Sequence, residues 1–430
     1  MQGEDQVALC GDWRDYQGNV SRMSKPTSDC RATERKHPWP MVRLGELGTM
    51  VRGNGIKRCE TIEAGYPCLR YGEIYTSFNV ILDKPRSFVP KELFDKCVKI
   101  KKGDLVFTLT GENTEEIAKT LAYLGDGEIA AGGDLAVWTG HGCDSKYLAY
   151  LMYSPQLISQ KAATGNGNIV VHTSIKKLQQ LEIPLPPLSV QREIVARLER
   201  ELAAVEKMKK GFEGLAETAK QEFKAELKEV FEGLKSGGAA TRKLGDAFKF
   251  IDYRGMTPNK IASGVPLITA KNIRFGYMDY RERFYISEED YARRQTRGVA
   301  RCGDILFTTE APMGYVALAD QKRFSTGQRI ITFQWTNATE HDNRYFLYYF
   351  MSDVFQNQVR ENASGATAQG IKSSRLVNLS VLIPEMRKQK VTADRLDAAK
   401  DRAEKLEAKA REGVAVCEAM RKAILKEAFE

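Results

Sequence analysis

The chain carries one plan twice, and a duplicated plan restricts its fold more than any single residue does. Arg43-Leu44-Gly45-Glu46 returns as Lys243-Leu244-Gly245-Asp246. Gly103-Asp104-Leu105-Val106-Phe107-Thr108 returns as Gly303-Asp304-Ile305-Leu306-Phe307-Thr308. The tails agree best: Leu227-Lys228-Glu229-Val230-Phe231-Glu232 reappears as Leu425-Lys426-Glu427-Ala428-Phe429-Glu430. From Tyr147 and Tyr345 onward the copies run in step at an offset of 198 residues. Two divergent copies give an approximate internal two-fold, whose natural partner is another object of that symmetry. Duplex DNA is the leading candidate, because operator symmetry commonly mirrors protein symmetry.

At 430 residues the chain is too long for one core and fits two to four domains. A net charge of +9 suits polyanions, although charge alone does not separate that reading from a merely basic protein. Eight cysteines are scattered without a CxxC pair, which fits reduced, cytosolic usage rather than a disulfide framework or zinc ribbon. No apolar run approaches the length of a membrane span. The polar first 39 residues lack a signal core and have no counterpart in the second copy, so they read as a variable or disordered extension.

Each copy divides at a proline. Residues 40–187 and 239–386 mix glycine-rich turns with β-type runs such as Leu105–Leu109, Leu135–Trp138, Ile305–Thr309 and Ile330–Trp335. One helical segment follows in each, Lys146–Lys161 and Asn343–Arg360, and this irregular interleaving predicts two α+β globules. After Pro186-Pro187 the composition changes. Ile194, Leu198, Leu202, Val205, Met208, Phe212, Leu215, Ala219, Phe223, Leu227 and Val230 recur every three or four residues. That periodicity predicts one long helix in 188–238, about 65 Å over its Gln191–Leu234 seam, stopped by Gly237-Gly238. Residues 387–430 carry a thinner, alanine-rich seam. Neither stripe can be buried alone, so the two helices are expected to pack as an antiparallel coiled coil, with pseudo-two-fold symmetry and the two globules held apart.

Catalytic patterns are absent. The four histidines make no metal-ligand spacing. In Gly365–Ser373, Ile371 separates the glycine from the lysine, which spoils a phosphate loop. Glu407-Ala408-Lys409 lies in a Lys/Glu-rich helical face without a paired aspartate, and no Asn-Pro-Pro-aromatic tetrad exists for amino methylation. The residues give no catalytic centre and no metal site.

The run Leu181-Glu182-Ile183-Pro184-Leu185-Pro186-Pro187-Leu188-Ser189-Val190-Gln191-Arg192-Glu193-Ile194-Val195 resembles the signature of Type I restriction-modification specificity subunits, in which such a run joins a target-recognition domain to a long helix. Trp39–Glu46 and the paired Gly-Asp strands look like family features too, and the resemblance covers about 40–430. Leu382-Ile383-Pro384-Glu385-Met386-Arg387-Lys388-Gln389 departs from the pattern and leaves the second helix start open. The resemblance implies a cytoplasmic, non-catalytic subunit that reads a bipartite DNA target, one half-site per globule. It implies that the helical pair sets the spacer and docks methyltransferase subunits, which methylate adenine N6, and that restriction-translocase subunits join them. No cofactor is expected on this chain; S-adenosylmethionine, ATP and Mg belong to the partner subunits.

Base reading favours planar arginine, asparagine and glutamine side chains, while phosphates accept almost any cation. Three loop regions recur at matched positions. The first offers Arg52, Asn54, Lys57 and Arg58 against Arg254, Asn259 and Lys260. The second offers Arg70 and Tyr71 against Lys271, Asn272 and Arg274. The third offers Asn166 and Asn168 against Thr367, Gln369 and Lys372. Any one of these reads first as a turn former or solvated surface; as matched groups they point to DNA. The Gly-Asp pairs read as strand entries. The alternative function is a coiled-coil scaffold whose duplicated globules bind proteins, with incidental basic charge. A self-sufficient nuclease or methyltransferase would need a catalytic domain that the sequence lacks.

Overall fold

The computed structural model describes residues 38–78, 80–167, 170–336, 341–365 and 369–429. Most of the extension expected over 1–39 lies outside them, as do Asn168 and Thr367. The chain forms two compact units. Unit 1 holds the described residues up to Glu201 and those from Lys422 onward, and unit 2 holds Leu202–Arg421. The divisions fall inside the long helices, because each globule packs against a stretch of both helices.

In unit 1 a five-stranded sheet runs Thr49–Arg52, Leu135–Thr139, Leu105–Thr108, Thr120–Tyr123, Ile81–Leu82. A second sheet orders Ser87–Val89, Tyr66–Leu69, Ile129–Ala131 and Lys99–Ile100. Strand Leu105–Thr108 is buried on both faces, which its unbroken apolar run requires. Leu105 and Phe107 join the helices around Trp138, Tyr147 and Leu198. Val106 turns the other way, toward Leu69, Ile100 and Val137.

Unit 2 repeats the plan. Its main sheet orders Phe248–Asp252, Ile330–Trp335, Ile305–Thr308 and Val316–Leu318, and a smaller one Tyr285–Ile286, Val265–Ile268 and Ser325–Thr326. The registers match: Leu135 pairs with Thr108 as Ile330 does with Thr308. Ala130 lies parallel to Cys68 as Ser325 does to Leu267. The Gly-Asp pairs are strand entries. Asp104 accepts a hydrogen bond from the Lys101 backbone at 2.7 Å and Asp304 from that of Arg301 at 2.6 Å, across glycines at φ +97 and +88.

The segment read as one helix over Lys146–Lys161 is two, Ser145–Leu151 and Pro155–Thr164. Pro155 cannot continue a helix but starts one, with Ser154 capping it through the Leu157 amide. Its counterpart splits into Asn343–Met351 and Asp353–Glu361 at Ser352, whose backbone is extended without any proline.

The long helices run Leu188–Ser236 and Met386–Phe429. Their starts differ by 198 residues, the offset of the repeat, so the altered second junction keeps the helix start. A glutamine holds each start. Gln191 Oε1 accepts from the Asp144 amide at 2.8 Å while its Nε2 donates to the Pro186 carbonyl at 2.9 Å. Gln389 does the same with Asp342 and Pro384 at 3.0 and 2.7 Å. Gly238, at φ +73, ends the first helix. Within unit 2 the helices pack antiparallel: Lys209 pairs with Glu418 at 2.7 Å, and Arg395 with Glu226 at 2.9 Å. No helix among the described residues is long and apolar enough to cross a membrane.

Candidate nucleic-acid interface

In unit 1 the first two loop regions meet. Strand Thr49–Arg52 hands over to Gly53, where a Cβ would fall 2.1 Å from the Gly132 carbonyl oxygen, so only glycine permits the approach. A Cβ on Gly133 would stand 3.0 Å from the Gly55 Cα. The two glycine turns lie against each other, and with the start of the Tyr71–Thr76 helix they enclose a cavity of about 470 Å³. Four expected contact residues line it: Arg52, Lys57, Arg70 and Tyr71.

Their side chains differ in freedom. Arg52 donates to the Gly133 carbonyl at 2.8 Å and pairs with Asp134 at 3.3 Å. Arg70 lies 3.5 Å from Glu73 and reaches Ser87 at 3.5 Å, yet its buried Nε makes no hydrogen bond. Tyr71 is 42% exposed. Lys57 and Arg58 are exposed on a short 3-10 turn, and neither forms an ion pair among the described residues. Asn54 spends its carbonyl on the Val98 amide at 2.6 Å, holding the loop. Asn166 sits apart, bridged to His172 in a hairpin, where its amide, oriented to satisfy its neighbours, accepts from Lys177 at 2.9 Å.

Unit 2 fills the corresponding place. Arg254 folds onto Asp252 at 2.9 Å. Beneath the loop, fully buried Arg294 stacks 4.4 Å over the Tyr253 ring and donates at 2.9 Å to Ser325, and also to the carbonyls of Met256 and Thr326. Burial pushes the Tyr253 phenol up to about 12 and pulls Arg294 down. Gln328 donates to Thr257. Asn259 is held through its backbone by Asp290 at 2.9 Å, and Lys260 lies 3.6 Å over the Phe284 ring. Lys271 pairs with Glu282 at 2.8 Å, and Arg274 with Asp279 at 3.1 Å. The side chain of Arg281 also grips Asp279 and holds its carboxyl far below the usual range.

Asn272 departs from the sequence reading. It is 2% exposed, accepts from Thr269, and donates to the carbonyls of Asp279 and Glu282 at 3.0 and 2.7 Å. That engages the whole amide in the turn and leaves none for a base. Gln369 and Lys372 are exposed near Gly370, which bridges to Ser364 and Glu310. Sequence reasoning missed Gly132-Gly133-Asp134, whose signal was a second glycine pair bounding a strand. It also missed Arg294, because an arginine in a Glu/Arg-rich helix reads as solvated. Among the described residues no cluster of His, Cys, Asp and Glu is placed to hold a metal.

A family model, the Type I restriction modification DNA specificity domain, matches this chain twice, over residues 36–211 and 226–414. The MjaVIII specificity subunit of Methanocaldococcus jannaschii, a Type I restriction enzyme subunit, is 23% identical over 83% of this chain and 85% of its own length. The EcoKI specificity subunit of Escherichia coli K12 is 22% identical over 63% of this chain and 61% of its own length. Among solved structures, the HsdS subunit from Thermoanaerobacter tengcongensis aligns with TM-score 0.53 at 19% identity, over 92% of this chain and 98% of that one. A chain from a study of complex assembly and conformational transition in the type I R-M system aligns with TM-score 0.67, also at 19% identity, over 93% and 99%.

Proposed function

We propose a function from one premise: the chain belongs to the Type I restriction modification DNA specificity family, as a specificity subunit with two recognition domains. Each unit reads one half of a bipartite duplex target, and the chain does no chemistry itself. The observation that carries this is the matched framework with unmatched surfaces. Both units present loops from the same strand registers, yet the side chains differ, as two readers of two different half-sites need.

The length of the helical pair sets the gap between half-sites, and its outer faces dock DNA adenine methyltransferase subunits. Restriction-translocase subunits complete the assembly. S-adenosylmethionine supplies the methyl group, and ATP with Mg drives translocation, all on those partners. A cytoplasmic place follows from a duplex DNA substrate. Arg52, Lys57, Arg58, Arg70 and Tyr71 in unit 1, with Arg254, Asn259, Lys260, Lys271, Arg274, Gln369 and Lys372 in unit 2, form the working surface. Asn54 and Asn166 shape loops rather than read bases.

The test is to co-express the chain with its methyltransferase and map N6-methyladenine across a genome. One bipartite motif with a fixed gap is expected, and exchanging 40–187 for a homologous domain should alter one half only. A soluble complex with an active methyltransferase and no methylated motif would favour the protein scaffold instead.

A further inference from the structure

Unit 1 has an open cavity at its paired glycine turns, unit 2 has Gln328 bonded across to Thr257 at the matched place, and the registers allow a residue-by-residue comparison of the two. Arg52 stands opposite Ala136 in its ladder, and Asp252 stands opposite Ile331. Arg70 and Thr269 each follow the matched strand and precede the matched capping turn. Lys57 and Thr257 lie five residues beyond Arg52 and Asp252. Three cations of unit 1 thus correspond in register to an aspartate and two threonines of unit 2.

The packing differs in the same sense. Gly133 corresponds to Gln328, whose side chain reaches across to Thr257 and closes the gap. Beneath, Arg294, Ser325 and Tyr253 fill unit 2 with a hydrogen-bonded cluster. The matching floor of unit 1 is Cys68, Ala130 and Ile56, which makes no demand on the cations above it. Arg52 is neutralised by Asp134 and Arg70 by Glu73, 3.5 Å from its Nε, but the Lys57 ammonium forms no ion pair among the described residues.

Resting on the DNA-reading function above, we infer that the unit 1 cavity is an anion seat for one backbone phosphate of the bound duplex, without an equivalent in unit 2. Lys57 supplies the uncompensated charge, and Arg70, held by Glu73, adds a donor at the wall. The glycine turns let the sugar-phosphate chain approach the backbone, and the exposed Tyr71 ring walls the rim. The seat adds grip rather than sequence information, because a phosphate is the same at every base pair.

Binding of a random-sequence duplex to the full chain, followed by fluorescence anisotropy between about 50 and 200 mM salt, tests this. Lys57→Ala should weaken binding about fivefold at low salt and reduce the log–log salt slope by about 0.9. Thr257→Ala, the matched change in unit 2, should move neither. Lys57 is exposed, so its loss leaves the fold intact. Duplex binding with an unchanged slope in Lys57→Ala overturns the seat while leaving the function standing. A wild-type chain that binds no duplex, yet shows inorganic phosphate protecting amides 53–57 from hydrogen exchange, overturns DNA as the occupant and the function with it.

Discussion

Tyr147 and Phe429 meet edge to face in unit 1, ring centroids 5.6 Å apart, although about two-thirds of the chain separates them in sequence. Unit 2 repeats the contact between Tyr345 and Phe231 at 5.5 Å. Each globule is thus sealed by the last turns of a long helix: the second helix closes unit 1, and the first closes unit 2. This explains why the tails are the best-kept part of the repeat. Phe429 is 3% exposed and Phe231 is fully buried, so either change to alanine should cost about 3–5 kcal/mol. Phe429→Ala should loosen unit 1 and Phe231→Ala unit 2, read as local loss of hydrogen-exchange protection. Uniform loosening of both units by either change would contradict the assignment.

The paired glutamines give a second prediction. Gln191 is 3% exposed and Gln389 1%, and each amide uses both its ends. Alanine at either position strands a buried N–H and a buried carbonyl, at a cost of about 1–3 kcal/mol. Glutamate should be no better, because it cannot donate to the Pro186 or Pro384 carbonyl at neutral pH. Urea unfolding of the four single variants checks this. Glutamate variants as stable as wild type would show that the donated bond is dispensable.

These contacts also mark what the sequence revealed. The 3.6-residue seam from Ile194 to Val230 specified one long helix, because only a partner stripe could bury it. Likewise, the unbroken apolar run Leu105–Phe107 marked a β-type segment, and such a run suits a strand covered on both faces. The break at Ser352 was not legible, since no proline or glycine announces it and tertiary packing decides it. Nor was the burial of Asn272, because an asparagine in a turn looks the same whether its amide faces inward or out. The cavity needed Gly133 beside Gly55, and spatial neighbours 78 positions apart leave no local trace.

Lys161 predicts an unusual pH response. It is 3% exposed on helix Pro155–Thr164, donating at 3.2 Å to the Ala118 carbonyl and lying 5.3 Å from the Tyr153 ring, with no carboxylate partner among the described residues. Burial, reinforced by nearby Lys119, pushes its pKa down to about 7. Between that value and the ordinary lysine range, the unfolded chain binds a proton that the folded chain does not. Stability therefore rises with pH across that window and is lowest, and flat for this group, below it. Lys161→Met should raise stability by about 2 kcal/mol at pH 7 and flatten the rise between about pH 7 and 10. Thermal melts across that range would show it; a destabilised, equally pH-dependent variant would mean the charge is better served than its contacts suggest.

The antiparallel register within unit 2 makes the spacer idea testable. Gly413 receives the Phe212 ring so closely that a Cβ there would lie 2.5 Å from two ring carbons. Gly413→Ala should therefore cost about 1–3 kcal/mol, as overpacking does. The pairing of Phe212 with Gly413 also defines which residues lie opposite one another. Removing 213–219 from the first helix together with 406–412 from the second keeps that notch, the Lys209–Glu418 pair and the Arg395–Glu226 pair on the same seam. Each deletion is one heptad, about 10 Å of helix, close to three base pairs of duplex. The methylated motif should keep both half-sites while its gap shortens by about that much. Removing only one of the two segments breaks the register and should abolish methylation. A doubly shortened chain that still methylates at the original gap would show that something other than helix length sets the spacing.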